Sequence, residues 1–425
     1  MTVSSRRLAA LLLVTLGVRL AFVFTERFVI YSDLLAFDQM GLAFASGDFG
    51  DLSKPPLYGM FLGAIYAVAG HSYLVVGLAQ ALLGTATGWL LYRYTSVLHG
   101  DRAGLVALGL FAVYPDFVVY PGMLLSESLF VLLLVASLWL LATAGGRGSL
   151  AIGLAGALIG LATLTRATLQ FFSLVIAGLL LYRALREGRR PLQAAFFLAA
   201  FALALAPWTV RNYLATGRFV PVYADAWHTV WIGNNPDADG TYMELPSRFS
   251  GLSLVKKDSL ARSETLRFVR QHPARVLSLA VKKVSIFWSP KPDGAAAEYL
   301  GQVVGLRAAY VLLAGAFVAL ALLAALGIAF LRDWRGHAPF LLLALYFTGI
   351  HAASHVGMRY RLPLVPFLLS YAAYGLVVVA ERRGSLRGVQ YRASWGRFAA
   401  LAALFAANTL LFVLERGATI ADVLR

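Results

Sequence analysis

Residues 57–69 read LYGMFLGAIYAVA, between the doublet Pro55-Pro56 and Gly70-His71. How this run is read sets the number of membrane crossings. It is apolar throughout but only 13 residues long, whereas a helix needs about 20 residues to cross the hydrocarbon core. Longer apolar runs lie on either side, near 8–25, 73–93, 103–120, 126–143, 150–165, 168–182, 192–208, 301–331, 339–356, 362–380 and 398–414. If 57–69 does not cross, Arg6/Arg7, Arg93/Arg102, Arg147, Arg183 to Arg190, Arg332/Arg335 and the cluster Arg382 to Arg397 all face one side. That is the bias expected of cytoplasmic loops. If the run crosses, the pattern after it inverts. The run is therefore read as a helix at the outer face or re-entering it. This gives about 11 spans (12 if it crosses), with the N-terminus inside and the C-terminus outside.

Composition points the same way. The chain is 60% hydrophobic and 14% charged, with mean hydropathy +0.72, where soluble domains are near half apolar and a quarter charged. An isolated spanning segment must satisfy its own backbone polar groups, so the fold class is all-α and polytopic. The absence of cysteine excludes disulfides, cysteine metal sites and thiol catalysis. The net charge of +16 sits in short loops between apolar runs, which suits anionic lipid headgroups and not nucleic acid. Arg6-Arg7 ahead of 8–25 has the look of a signal peptide, but no small-residue cleavage pattern follows, so an uncleaved span is expected. The chain reads as one membrane domain over 1–425, with a first outer loop at 26–72 and a long outer loop at 209–300. Within the long loop, 256–288 reads as two amphipathic helices broken at Pro273. Lys282, Lys283 and Trp288 fit interfacial anchors, with Leu266, Val269 and the run Val276–Val281 toward acyl chains.

The residues able to do chemistry fall on the outer side. Asp33 opens a short helix on which Asp33, Phe37, Met40 and Phe44 recur at helical spacing. It reads as a functional acid, or as an N-cap shared with Ser32. Asp38 lies about 140° round that helix and cannot pair with it on one face. Asp38, Asp48 and Asp51 are expected to be solvated. Lys54 is held extended by Pro55 and suits a lipid phosphate as a point charge. Glu127, at the mouth of a span, requires a cation, a metal or a proton. Arg166 lies in a tight turn between spans. Arg359 and Arg361, with His355, precede Leu362-Pro363 at another, and Arg211 follows Pro207-Trp208. Taken singly, each arginine is open to a headgroup-anchoring reading. That reading weakens where several ring the same face as a carboxylate. Arg19, inside the first span, must snorkel or pair. His71, His99 and His337 lack metal spacing and read as surface residues.

Four segments in this order resemble the membrane glycosyltransferases that use polyprenyl-phosphate sugars. They are Tyr31-Ser32-Asp33 with its Phe37-Asp38 helix, Lys54-Pro55-Pro56-Leu57-Tyr58, Pro207-Trp208 through Arg211-Asn212-Tyr213, and Arg359-Tyr360-Arg361-Leu362-Pro363. His272-Pro273 leading to Lys282-Lys283 and Trp288 adds a weaker fifth. The likeness is to the GT-C superfamily, in the bacterial branch near protein mannosyltransferases and the aminoarabinose transferase of lipid A (glycosyltransferase family 39-like). The resemblance implies a catalytic aspartate at Asp33, a donor-phosphate contact at Lys54 and a second acidic residue at Glu127, where many relatives carry aspartate. It also implies a bacterial inner membrane with the site facing the periplasm. Unlike in many relatives, no large soluble domain is expected after the last span, so a relative's acceptor specificity does not carry over, and protein, lipid A and envelope glycan all stay open.

The chemistry fits the residues. Glycosyl transfer passes through an oxocarbenium-like transition state, needing a base for the acceptor proton and cations for the departing phosphate. Asp33 is the candidate base, with Glu127 as a second acid. Lys54, Arg166, Arg211, Arg359 and Arg361 are candidate phosphate ligands, and a single displacement predicts inversion. Asp38, Tyr58, Trp231 and His355 are weaker candidates for sugar or acceptor contact. A divalent Mg or Mn held by Asp33 or Glu127 is compatible with the sequence but not required by it. Two other classes compete: a transporter or flippase for lipid-linked sugars, and a polysaccharide ligase or polymerase. A transporter tends to place ionisable groups at the midplane of inverted repeats, and a ligase needs no carboxylate just after its first span.

Overall fold

The computed structural model describes residues 3–25, 28, 30–188, 191–223, 226–382 and 391–424. Arg189, Arg190, Arg383 and Arg387, used in the charge count, lie outside them. Every regular element described is helical. In chain order the α-helices are α1 Val3–Thr25, α2 Ser32–Ala45, α3 Pro56–Ala69, α4 Tyr73–His99, α5 Asp101–Val113 and α6 Pro115–Val119. Then come α7 Glu127–Thr165, α8 Phe172–Glu187, α9 Leu192–Thr216, α10 Ala226–Ile232, α11 Leu254–Gln271 and α12 Pro273–Phe287. The chain continues with α13 Gly294–Val304, α14 Leu306–Ala329, α15 Ala338–Ala353, α16 Val365–Arg382 and α17 Arg392–Leu424.

Among the described residues, 8 helices are long and apolar enough to cross a membrane, or 9 if the bent pair α5–α6 counts as one span. Three shorter apolar helices are α3, Glu127–Thr143 and α15. The apolar runs thus all become helix, but three are not the single rods expected. The run 103–120 bends by 63° between α5 and α6, where Pro115 takes over. The run 301–331 divides at Gly305, whose φ of 86° ends α13 before α14 begins. The run 362–380 opens with a 3-10 turn, Met358–Leu364, ahead of α16. Conversely, the runs 126–143 and 150–165 are carried by α7, which breaks at Gly148 (φ 67°).

Helix α3 has 14 residues, about 21 Å at the α-helical rise. Pro56 opens it at the first position, where its missing N–H costs nothing. It crosses α2 at close range. A Cβ added at Gly63 would lie 3.1 Å from the Gly41 carbonyl and 2.8 Å from the Phe44 Cβ. The edge-to-face pair Phe37–Tyr58, with centroids 5.0 Å apart, fills the crossing. Beyond this pair, α7 packs along α9, α14 along α16, and α4 against α5 and α7.

Buried charge has an explanation in the fold. Arg19 is fully buried and pairs, as the snorkel-or-pair alternative allowed. Its Nη1 donates to the Thr15 carbonyl at 2.8 Å, and its Nη2 to the Phe111 carbonyl at 3.3 Å. Phe111 belongs to the last turn of α5, whose carbonyls have no helical partner once the chain bends at Pro115. A guanidinium therefore closes the helix end inside the bundle. His99 and His337 are not surface residues. They stack at 5.1 Å between helix ends remote from the site below, and His337 hydrogen-bonds the Tyr371 hydroxyl at 3.0 Å. The single residue Gly100 joining α4 to α5 leaves no loop to carry His99 into solvent.

Candidate active site

The site is built around the first turn of α2. Tyr31, extended at φ −152°, ψ 165°, takes the N-cap position and makes no side-chain cap. Ser32 follows with φ 50°, a left-handed conformation that costs a non-glycine residue about 1–2 kcal/mol. Asp33 is therefore not an N-cap. Its carboxylate turns away from the helix and accepts from Lys54 Nζ at 2.7 Å and from Arg359 Nη2. Lys54 is placed by two Asx turns before it, in which Asp48 Oδ1 accepts from Gly50 N and Asp51 Oδ1 from Ser53 N. Those two aspartates shape the loop and are not merely solvated. Lys54 also lies over the Phe37 ring at 5.1 Å.

Helix α7 closes the other side. Because it breaks at Gly148, its first residue, Glu127, meets Arg166 just past its last. Glu127 Oε1 accepts from Arg166 Nη1 and lies 3.7 Å from Arg359 Nε. Its Oε2 is buried without a hydrogen bond among the described residues, beside a cavity of about 10 Å³ lined by Thr87, Tyr120 and Ser128. Arg359 thus links Asp33 at the mouth, 35% exposed, to Glu127 at the floor, 1% exposed. Tyr360 lies beneath the cations, its ring 5.3 Å from the Arg166 guanidinium.

Charge dominates the cluster. Burial pushes the Asp33 carboxyl up, but the neighbouring Arg359 and Lys54 outweigh it and hold the group well below the usual carboxylate range. Lys54, Arg166 and Arg359 stand against Asp33 and Glu127, and a third carboxyl, the buried Asp293, also faces Arg359 and Glu127, with burial pushing its proton affinity up.

Other candidates are placed elsewhere. Arg361 points away from Arg359 and is spent on backbone carbonyls, donating to Ser289 and, at 2.8 Å, to Lys291, with its guanidinium 3.8 Å from the Phe317 ring. Arg211 joins the first loop to α9. It donates to the Phe49 carbonyl and stacks on Trp208 at 4.7 Å. Asp38 is buried, not solvated, because it receives Tyr66 Oη at 2.7 Å, His71 Nε2 at 2.8 Å and Tyr73 Oη at 3.0 Å. His71 is correspondingly tied down. Tyr58 has no exposed surface, and its hydroxyl donates to Gln80 at 3.1 Å. Trp231 packs against Phe249 inside the long loop and donates to Glu264 at 2.8 Å. His355 bridges the Thr229 carbonyl at 3.1 Å and the Tyr360 hydroxyl at 2.9 Å, so it touches the site through Tyr360. In the amphipathic stretch, Leu277 and Val281 are exposed as expected, but Leu279 and Lys283 are buried.

Sequence reasoning missed two aromatic residues. Tyr360 was visible only as the middle of Arg-Tyr-Arg. Tyr242, 66% exposed, sits over the mouth with its ring 6.3 Å from that of His355. An isolated aromatic in the polar stretch Asp239-Gly240-Thr241-Tyr242 was the available signal. The donor set does not fit a divalent metal. Among the described residues no group of three His, Cys, Asp or Glu side chains converges, and both Asp33 oxygens and Glu127 Oε1 are already paired with Lys54, Arg359 and Arg166, whose charges would repel one.

The family model described as dolichyl-phosphate-mannose-protein mannosyltransferase matches residues 53–210, a stretch that includes Lys54, Glu127 and Arg166. No curated protein sequence matches. Among solved structures, the oligosaccharyltransferase of Archaeoglobus fulgidus in the apo form superposes with TM-score 0.55 and 16% identity, covering 96% of this chain and 55% of that one. The same archaeal enzyme, AglB, in complex with an inhibitory peptide and a dolichol-phosphate gives TM-score 0.55 and 15% identity, covering 96% and 54%. ArnT from Cupriavidus metallidurans bound to undecaprenyl phosphate gives TM-score 0.44 and 16% identity, covering 94% and 88%. The chain spans about half the length of the oligosaccharyltransferase. These findings show the fold to be of GT-C type, helical and polytopic, and the resemblance to GT-C membrane glycosyltransferases read from the sequence stands.

Proposed function

We propose that the chain transfers a sugar from a polyprenyl-phosphate donor to a hydroxyl acceptor, with inversion at the anomeric carbon, at the outer face of a bacterial inner membrane. The observation that carries this reading is the pairing of Asp33 with Lys54 and Arg359. A glycosyl polyprenyl phosphate is a phosphodiester with one negative charge, which suits the cations Lys54 and Arg359. A phosphate seated on Lys54 and Arg359 takes over the two contacts now made by Asp33. That exchange releases the carboxylate and raises its proton affinity toward the ordinary value, turning a weak base into a competent one.

Asp33 then accepts the acceptor hydroxyl proton as its oxygen bonds to the anomeric carbon. The bond from that carbon to the phosphate oxygen breaks, and its electron pair leaves with the lipid phosphate. Protonating Asp33 removes one negative charge from the pocket just as the departing phosphate gains its second negative charge. The net charge of the site is therefore unchanged through the step. Glu127 holds Arg166 and Arg359 from below. The exposed face of α12, with Leu277 and Val281, suits the polyprenyl chain. Tyr242 offers a ring at the mouth for stacking on a sugar. The orientation follows from the arginine bias of the loops.

The archaeal relative bound to a dolichol-phosphate and the mannosyltransferase family match support a lipid-linked donor. The donor sugar and the acceptor, whether protein, lipid or glycan, are assigned by the experiment. Membranes carrying the chain are given radiolabelled polyprenyl-phosphate sugars and envelope extract. Transfer by the wild type that is lost in Asp33→Asn supports the reading, and undiminished transfer by the variant refutes it.

A further inference from the structure

Lys283 belongs to no part of the cluster just described, and the pattern of α12 makes it an interfacial lysine. Yet it is fully buried. Its Nζ donates to the Ser354 carbonyl at 2.7 Å, the Gly233 carbonyl at 3.1 Å and Asn234 Oδ1 at 3.1 Å. An ammonium has three donors, and all three are used on neutral oxygens. Burying a cation costs several kcal/mol unless its hydrogen bonds are complete. A plain apolar side chain would fill the same space without that cost, so the ammonium is doing what only a three-way donor does: it gathers oxygens from separate segments.

Those segments are the turn after α10, in the long loop, and the end of α15. They are joined again on either side of Lys283. Asn234 Nδ2 donates to the Ala353 carbonyl at 2.8 Å, and Val356 N to the Gly240 carbonyl at 3.0 Å. Gly233 has no space for a side chain, since a Cβ there would fall 1.9 Å from the Ser354 carbonyl oxygen. Three residues past Val356 the chain reaches Arg359, which binds Asp33 and faces Glu127. His355, within the clasped segment, holds the Tyr360 hydroxyl.

We propose that Lys283 is a positioning residue: its buried ammonium clasps the long loop to residues 353–356 and so holds Arg359 and Tyr360 in register with Asp33 and Glu127. The clasp stands independently of any substrate. Its effect on donor binding rests on the proposed function.

The test uses the full chain in detergent with Lys283→Met, which keeps the length of the side chain and removes the donors, and Gly233→Ala, which forces apart the same backbone contact. Amide hydrogen exchange over 354–361 is expected to rise at least tenfold in either variant, with α14 unchanged. Undecaprenyl phosphate binding is expected to weaken about tenfold in Lys283→Met, and Lys283→Met is expected to cost nothing further when added to Arg359→Gln. Unchanged exchange over 354–361 in the variants that remain monodisperse overturns the clasp. An equal loss of binding with and without Arg359 overturns positioning through Arg359. If the wild type binds no undecaprenyl phosphate while the exchange still rises, the functional reading fails and the clasp survives.

Discussion

Asp33→Asn separates the two roles given to this residue, because it should harm turnover and help binding at once. In the free chain Asp33 occupies the cations that a donor phosphate needs, Lys54 at 2.7 Å and Arg359. The carboxylate is 35% exposed, so solvent screens both pairs, and each is worth only about 0.2–1 kcal/mol. Removing that competition for two pairs should tighten polyprenyl phosphate binding by about 0.4–2 kcal/mol, or about 2- to 30-fold. Loss of the general base should lower kcat by about 10²–10⁴-fold. The assay is lipid-phosphate binding by fluorescence or native mass spectrometry, paired with single-turnover transfer of a labelled sugar. A variant that binds the lipid more weakly than wild type would refute the exchange of carboxylate for phosphate. A variant that binds tightly and still turns over at the wild-type rate would refute the base.

The pH profiles should differ in one direction. Because Arg359 and Lys54 overcome the effect of burial and hold Asp33 below the usual carboxylate range, the acid limb of kcat/KM, which reports the free enzyme, should lie below that of kcat, which reports the donor complex. Coincident limbs would contradict the exchange. The same depressed group contributes a small stability that is present above its unfolded value near 3.9 and lost as pH falls through the folded value. Chelation with EDTA is expected to leave sugar transfer unchanged, because the carboxylates face arginine and lysine; loss of transfer restored by added Mg or Mn would show a metal site. Arg19→Met should lower the melting temperature in detergent, since the freed Phe111 carbonyl leaves a deficit of about 1–3 kcal/mol, while donor binding stays at the wild-type value.

The helices and part of the candidate site were legible for one reason: membrane burial makes apolar runs long and charged residues rare, so each remaining charge carries information. Asp33 and Lys54 stood out in that way. What sequence could not give was direction around an element. Arg359 and Arg361 are two apart on a 3-10 turn, and three residues per turn place them about 120° apart, so one reaches Asp33 while the other faces the carbonyls of Ser289 and Lys291. Asp38 looked solvated and Lys283 interfacial because nothing in the local pattern says that three rings converge on the first or that a loop turn covers the second. The meeting of Glu127 with Arg166 depends on the break at Gly148, one glycine among many in small-residue helices.

The most direct measurement is a structure of the chain with a polyprenyl phosphate bound. The account predicts the phosphate between Lys54 and Arg359, with the Asp33 carboxylate displaced from both and open toward the mouth under Tyr242. A headgroup seated elsewhere on the protein, with Asp33 still paired to Lys54 and Arg359, would contradict it.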